Sequence, residues 1–313
     1  MTLRNVGLLV AILAAAVSCD RGSSESKPAV APVGQGGTGS ADPWNKPEPK
    51  QERIAKPLFW KLEKAGNTSY LLGTMHLGVD PAALPQIVWD KLDAAKTFAM
   101  EIDPTQMSGI DLRRKDGKTL RDELGEAYWK KLEDALGADE AKALLGMKAM
   151  IPATVIGMRG LPKTPGMDGV LHGRAVNQKK NLVYLETLAL EMEVLEKWMN
   201  ARTLEDMLDD LPGGDQRAKD MLAAYLAGDE GRIQAIQDSE RDSWKKKGRP
   251  EKEYDEQMED LLYKRNASWI PPIEKLHAEG GGFVAIGAAH AIGPRSVLEM
   301  LEAKGFQITR ITP

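Results

Sequence analysis

A short pattern that occurs twice, once near each end of the chain, is the strongest constraint on the fold. The first copy is an apolar segment that reaches Gly73 and continues to His76; the second reaches Gly287 and continues to His290. In both copies another glycine follows the histidine closely, and a helical pattern comes next. Such a repeat predicts one strand–helix unit that is used twice.

The chemistry of the repeat suggests a shared site. In open parallel sheets, ligands bind beyond the carboxyl ends of the strands. Gly73 and Gly287 would let the backbone turn there and let a ligand or cofactor approach. A neutral imidazole can bind a metal ion or act as an acid or base. One histidine near a glycine is more often a packing residue, but two in matching contexts favour a common site. We interpret the remaining histidines, His172 and His277, as structural or surface residues.

Four short apolar segments predict the strands of the sheet. Each is bounded by helical patterns, which favours an α/β fold with a mostly parallel central sheet, pseudo-duplicated strand–helix units and a helical insert. Segments near Lys61 and at Gln307–Ile311 would add edge strands. The four predicted strands are Thr68–Thr74, Thr97–Ile102, Asn181–Glu186 and Phe283–Gly287.

Apolar residues at helical spacing predict the helices between these strands. Thr187 and Asp168 are suited to cap two of them. The insert at 203–247 is expected to break at Pro212-Gly213-Gly214 and at Gly228. The other predicted helices are 82–96, 254–277 with a bend at Pro271-Pro272, and 296–304.

Acidic residues stand at the ends of two predicted strands. Glu101 and Asp103 follow the second strand, and Glu186 ends the third. Carboxylates there would share a crevice with the two histidines, although capping and solvated loops are equally common settings for such residues. The pair Arg265-Asn266, in a later helix, is either a solvated helix face or a clamp for a carboxylate or oxyanion.

The first fifty residues predict export. Residues 1–18 combine Arg4 with a short apolar run, which suits a signal peptide and is too short to span a bilayer. Cys19 follows small residues and is the only cysteine, so we predict a lipidated anchor rather than an ordinary signal with a chance cysteine. Residues 19–50 then form a disordered tether rich in Gly, Ser and Pro, and residues 51–313 form the folded domain. We expect an exported lipoprotein of the cell envelope, attached to the membrane.

Several functions are disfavoured by what the sequence lacks. The net charge of −4 and the scattered basic residues argue against nucleic acid as a partner. A single cysteine allows no disulfide within the chain. The zinc-binding His-Glu-x-x-His helix, the Gly-x-Ser-x-Gly elbow, the phosphate-binding loop and the dinucleotide fingerprint are all missing.

A set of motifs in fixed order resembles one known family. From Leu58 to Ile311 the chain is similar to the TraB/GumN family, whose relatives include the TIKI metalloproteases and, more distantly, erythromycin esterase and haem-binding ChaN-like proteins. The motifs are YLLGTMHLG, FAMEID, MDGVLHGRAVNQKKNLVYLET, RNASWIPPI and FVAIGAAHAIGPRSVLEMLEAKGFQI.

The resemblance implies a particular site. It implies that His76, Glu101 and His290 form the active site and hold a divalent metal, manganese or cobalt rather than zinc. Glu186 and Arg265-Asn266 would surround them. The TIKI enzymes cleave the amino-terminal region of secreted signalling proteins, so the implied partner is a peptide substrate.

Three functions therefore remain open. The leading hypothesis is metal-dependent, peptidase-like hydrolysis, with Glu101 or Glu186 as the base and Arg265 stabilising an oxyanion or holding a substrate carboxylate. The alternative is a lipoprotein that binds haem, metal or a small ligand without turnover. The third is a scaffold that tethers other envelope proteins.

Overall fold

The computed structural model describes residues 51–313 of the chain. The predicted signal peptide, Cys19 and the tether lie outside the described residues. Within 51–313, no helix is both long enough and apolar enough to cross a membrane.

A six-stranded sheet forms the centre of the described domain, in the order β4-β3-β5-β2-β1-β6. The four strands from β4 to β2 run parallel, and β1 and β6 extend the sheet by antiparallel pairing. The predicted α/β class and mostly parallel sheet are confirmed. The strands are β1 Phe59–Lys64, β2 Asn67–Thr74, β3 Thr97–Met100, β4 Asn181–Tyr184, β5 Phe283–Gly287 and β6 Gln307–Arg310.

The two copies of the repeat lie side by side. Strands β2 and β5 are parallel neighbours, with Gly73 opposite Ile286 and Thr74 opposite Gly287. Both histidines therefore leave the sheet at the same edge. Strands β3 and β4 end two residues earlier than predicted, so Glu101 is the first residue of the loop after β3 and Glu186 is the second residue of the loop after β4.

Thirteen α-helices accompany the sheet in the described residues. They are α1 Gln86–Ala94, α2 Leu120–Leu136, α3 Ala138–Ala143, α4 Met150–Gly157, α5 Met167–Asn177, α6 Leu188–Trp198, α7 Ala201–Asp209, α8 Leu211–Ala227, α9 Glu230–Lys246, α10 Glu251–Met258, α11 Lys264–Ala278, α12 Ala288–Ala291 and α13 Val297–Ala303. Short 3₁₀ turns occupy Pro81–Ala83 and Pro104–Gly109, and a π-helical turn, Glu259–Tyr263, joins α10 to α11.

Three helix boundaries differ from the sequence-based predictions. The helix expected at 82–96 is divided at Pro85, which is extended and precedes α1. The expected break at Pro212-Gly213-Gly214 lies instead at Asp210, because proline is tolerated in the first turn of a helix and Pro212 is the second residue of α8. The late helix begins at Glu251 and contains the π turn, while Pro271-Pro272 lie inside α11.

Two hydrophobic clusters organise the packing. The larger one surrounds the sheet, where Phe59, Phe98 and Phe283 are completely buried. The smaller one is helical and includes Trp129, and it draws its other residues mainly from α2, α4, α6 and α7. The crevice at the carboxyl edge of the sheet is bordered by α5, α6 and α11, which come from the connections between the strands.

Candidate active site

Histidines and carboxylates from distant parts of the chain converge on Gly287, at the end of β5. The backbone N–H of Gly287 donates to Glu101 Oε1 over 2.6 Å. A methyl group placed on Gly287 would lie 3.3 Å from that oxygen, 3.6 Å from His76 Nε2 and 3.6 Å from His290 Cδ2. The structure therefore brings His76, Glu101 and His290 together, as the parallel repeat predicts.

His76 is oriented by a carboxylate that belongs to α5. Its Nδ1 is 2.7 Å from Asp168 Oδ2, and the other oxygen of Asp168 accepts a hydrogen bond from Thr74 at 2.8 Å. The charge of Asp168 raises the pKa of His76 to about 10, although burial opposes this rise. The predicted capping role of Asp168 is wrong: α5 begins after Gly166 with no side-chain cap, and Asp168 faces inward. The other ring nitrogen of His76, Nε2, faces the crevice, and about half of the His76 side chain is exposed.

Arg265 connects Glu186, Glu101 and His290 through the hydrogen bonds of its guanidinium. Its Nε and Nη2 donate to Glu186 at 3.0 and 2.6 Å, and Nη2 also donates to Glu101 at 3.0 Å. Nη1 donates to the carbonyl of Leu261 at 2.9 Å and to His290 Nε2 at 3.3 Å. Every N–H of the guanidinium is thus used within the protein. Arg265 therefore has no free donor for the oxyanion or substrate carboxylate that the sequence suggested.

The helix that carries Arg265 has an irregular turn just before it. The π-helical turn Glu259–Tyr263 lies between α10 and α11, and Leu261 within it supplies the carbonyl that Arg265 contacts. Single π turns are rare and are frequent at functional sites. After this turn, Arg265, Asn266 and Trp269 are all buried toward the crevice.

The protonation of His290 follows from its neighbours. A guanidinium can only donate, so His290 Nε2 must accept from Arg265. Nδ1 then carries the proton and donates to Asn266 Oδ1 at 2.6 Å, while Asn266 Nδ2 donates to the carbonyl of Arg295 at 2.9 Å. Burial and the charge of Arg265 lower the pKa of His290 to about 3. His290 is therefore neutral, and both of its nitrogens are occupied.

Glu186 is held more tightly than Glu101. Besides Arg265, its carboxylate accepts from Trp269 Nε1 at 3.3 Å, and its side chain is 1% exposed. Burial nevertheless raises its pKa. Burial would also raise the pKa of Glu101, but the charges of Arg265 and His76 and the N–H of Gly287 outweigh it and keep that pKa below its usual value. Glu186 is poorly suited to accept a proton from substrate, because its oxygens face inward and are bonded.

Glu191 on α6 completes the cluster and has no bonding partner. Its Oε2 is buried without a hydrogen bond in the described structure. Oxygen atoms of Glu101, Glu186 and Glu191 all lie within 4.8 Å of one another. Burial, and then the nearby charge of Glu101, raise the pKa of Glu191 to about 7. An unpaired carboxylate with such a pKa is suited to accept or release a proton near neutral pH.

A comparison with protein families identifies the family of the chain. The model of the TraB/PrgY/gumN family matches residues 58–310, which is most of the described domain. The chain belongs to the TraB/PrgY/gumN family. Neither the curated proteins nor the solved structures gave a significant match. The family assignment covers all the residues that converge on Gly287.

The two glycines of the repeat differ in their surroundings in this TraB/PrgY/gumN member. Gly287 borders the crevice directly. A methyl group on Gly73 would instead press against Ala288 and Leu58, both at 3.3 Å, and the carbonyl of Gly73 accepts from Tyr225 at 2.8 Å. Gly73 thus allows β2 to pack closely against the second repeat, and only Gly287 adjoins the atoms available for chemistry.

The remaining histidines of this TraB/PrgY/gumN domain are structural. His172 Nε2 is 3.1 Å from the hydroxyl of Tyr184. His277 is buried between Ser69 and the carbonyl of Lys64, at 2.8 and 3.0 Å. Neither joins the crevice cluster, as the sequence analysis predicted.

The donors of the crevice fit a divalent cation. An imidazole whose Nδ1–H is held by a carboxylate is the usual arrangement of a metal-binding histidine, and His76 has it. Glu101, Glu186 and Glu191 cluster together, but only Glu101 and Glu186 contact the guanidinium of Arg265, and Glu191 has a buried oxygen with no partner among the described residues. Oxygen-rich sets of this kind suit hard ions such as manganese.

Proposed function

We propose that this TraB/PrgY/gumN protein is a metal-dependent hydrolase and that its substrate is a peptide. The observation that carries the proposal is the contrast within the site. His290 and Glu186 are both bonded to Arg265, whereas His76 Nε2 and Glu191 Oε2 have no hydrogen-bond partner among the described residues and their side chains lie close enough for their charges to interact. An oriented imidazole beside an unpaired carboxylate is suited to activating water.

The ligands proposed for the cation are His76 and Glu101. His76 would bind through Nε2, and Glu101 through lone pairs that Gly287 and Arg265 leave free. Hard divalent ions commonly take few protein ligands and complete their shell with water. When bound, the cation supplies Lewis-acid polarisation of a carbonyl group and of the attacking water. The sequence suggested His290 as a further ligand, but its Nε2 accepts from Arg265, so we leave it out.

The residues of the site have different roles in the proposed reaction. Glu191 takes the proton of the attacking water and can return it to the leaving amine, because its raised pKa allows both steps. Asp168 holds Nδ1–H of His76, so Nε2 is the nitrogen that would bind the cation; because Asp168 raises the pKa of His76 to about 10, the cation would displace a proton from Nε2. Arg265 holds Glu101 and Glu186 in place and keeps His290 as a neutral acceptor.

Metal content and turnover, measured on the purified full-length chain, test these proposed roles. We expect about one divalent ion per wild-type chain after manganese or cobalt is offered. His76→Ala and Glu101→Gln should lose the ion. Glu191→Gln should retain it and lose peptide hydrolysis, and His172→Gln, which alters a histidine outside the crevice, serves as the control. Unchanged turnover after complete removal of metal would contradict the proposal, and loss of the ion in Glu191→Gln would make Glu191 a ligand.

A second candidate is capture of a divalent cation without turnover. It is favoured by the three carboxylates within 4.8 Å of one another, which give a strong local charge. The same experiment distinguishes the two candidate functions. Capture without turnover predicts bound metal and no hydrolysis of any peptide in a mixed peptide library.

We also propose that the chain acts in the cell envelope, attached to the membrane through lipidated Cys19. The motif around this lone cysteine supports the proposal. Incorporation of labelled palmitate into wild type, and its loss in Cys19→Ala, is the expected result. Equal labelling of both forms would contradict lipidation at Cys19.

A further inference from the structure

A second cavity lies next to the residue that fixes His290. It has a volume of about 300 Å³ and is formed by α9, α10, the π turn and the loop after α12. Asn266 is part of its wall, and the same side chain accepts the Nδ1–H of His290. A molecule in this cavity would therefore be separated from the imidazole of His290 only by the side chain of Asn266.

The two sides of the cavity differ in chemistry. The α9 side presents the polar residues Gln237 and Asp238. The part of the wall that comes from α10 and the π turn presents Tyr254, Met258 and Tyr263, which are aromatic or polarisable. A ligand with a polar head and a short apolar stem would match this division.

The uncompensated charge around the cavity is negative. Arg241 lines it, but its guanidinium pairs with Asp255 and lies 3.6 Å from Glu251. Asp238 accepts only from the neutral amide of Gln234, at 2.8 Å, and pairs with no cation among the described residues. The unpaired carboxylate of Asp238 therefore favours a cationic head group.

The tyrosines of the cavity already hold cations of the protein. Arg241 and Arg295 lie against the rings of Tyr254 and Tyr263, at 5.1 and 4.2 Å from the ring centres. Arg295 is itself neutralised by Glu259. These rings are therefore suited to contact the apolar stem of a ligand, and the cationic head group is favoured by Asp238.

We propose that this cavity binds a small primary amine in its ammonium form, with the ammonium at Asp238 and Gln237 and the apolar stem between Tyr254 and Met258. The bound molecule contacts Asn266 and so perturbs the hydrogen bond to His290. The site is separate from the metal crevice and does not depend on the proposed hydrolase activity.

Calorimetry on the full-length chain tests the binding with n-butylammonium as the probe and 1-butanol as its uncharged match. We expect butylammonium to bind and butanol to bind at least about 10-fold more weakly, because a charge-assisted hydrogen bond is lost. Asp238→Asn should weaken butylammonium binding by a similar factor. Asp139→Asn, an exposed acid on α3, is the control and should bind as wild type does. Equal binding of both probes, or no effect of Asp238→Asn, would overturn the proposal.

Nuclear magnetic resonance of the histidine side chains tests the link to the active site. The His290 ring signals, assigned by their loss in His290→Asn, should shift when butylammonium is added to wild type, and the same shift in Asp238→Asn should need about 10-fold more butylammonium. The signals of His172 report on unspecific effects. Binding that leaves His290 unchanged would overturn the contact through Asn266.

Discussion

His76 donates its Nδ1–H to Asp168 across 2.7 Å, although the two residues are 92 positions apart in the chain. Asp168 is itself held by Thr74, the last residue of the strand that precedes His76. The pair therefore links the carboxyl end of β2 to α5. It also fixes which nitrogen of His76 faces the crevice, which is the nitrogen that our proposal uses.

Replacing Asp168 by Asn should change the titration of His76. In protein treated with chelator, the Asp168 charge raises the pKa of His76 to about 10, and Asp168→Asn should bring this pKa back toward the ordinary value of 6.5. Because the folded-state pKa lies above the unfolded one, the pair stabilises the fold fully below about pH 6.5 and progressively less as pH rises through about 10. Resonance titration of His76 and urea unfolding between these pH values measure both effects.

The same substitution should weaken the metal binding that we propose. Loss of the carboxylate behind a metal-binding histidine typically reduces affinity about 10–100-fold. Metal titration of Asp168→Asn against wild type measures this factor, and the His172 titration should be the same in both proteins. An unchanged His76 pKa together with unchanged metal affinity would show that the hydrogen bond to Asp168 is dispensable.

Much of the framework of this site was accessible from sequence. The duplicated Gly-x-x-His pattern predicted that the two histidines would share one edge of a mostly parallel sheet, and the structure places the two repeat strands side by side, with Thr74 opposite Gly287. Apolar segments that end in an acidic residue predicted that Glu101 and Glu186 would meet at the same edge of the sheet. These predictions succeeded because the carboxyl ends of adjacent parallel strands must lie together.

Asp168 and Glu191 were missed because they lie on helices. A sequence pattern shows which helix face is buried but not what that face meets, since this depends on how the helix docks. A signal for Glu191 did exist: it lies between Leu188, Met192 and Leu195 at helical spacing, so it is a charged residue on the apolar face of α6. Asp168 stood where a helix cap is common, and only the folded position of Thr74 shows its real partner.

Gly287→Ala should disturb the active site with little effect on the fold. The backbone of Gly287 has φ −53°, which alanine adopts without strain. The new methyl group would lie 3.3 Å from Glu101 Oε1 and 3.6 Å from His76 Nε2, so the carboxylate must shift. We expect metal affinity and turnover to fall about 10-fold or more, because small displacements of reacting groups are costly.

The matched control is Gly146→Ala, since a methyl group there meets no atom within 4 Å. It should leave metal affinity, turnover and thermal stability as in wild type. Normal metal binding and turnover in Gly287→Ala would mean that the atoms around Gly287 are not the reacting ones.

Arg265→Met should lower the free energy of unfolding by about 3–5 kcal/mol, because it leaves Glu186 and Glu101 buried without their cation. Adding Glu186→Gln to this variant should recover part of the loss, since one unpaired charge is then removed. Arg174→Met, which breaks an exposed pair with Asp93, should cost about 1 kcal/mol or less. Urea unfolding measures all of these variants, and similar losses for Arg265→Met and Arg174→Met would refute the central role of the Arg265 cluster.

Glu191→Gln should separate catalysis from stability. Because burial raises the pKa of Glu191 to about 7, the wild-type protein loses stability as pH rises from about 4.5 to about 7, where the folded state must ionise a group with no partner. Glutamine removes this cost, so the free energy of unfolding of the chelator-treated variant should equal that of wild type at pH 4 and exceed it by about 1–3 kcal/mol at pH 8.

Peptide hydrolysis by Glu191→Gln should fall about 10²–10⁴-fold, as for loss of a general base. Glu193→Gln, two residues along the same helix and exposed, should change neither property. If Glu191→Gln were less stable than wild type at pH 8, Glu191 would have a stabilising partner, and its role as the free base would have to be abandoned.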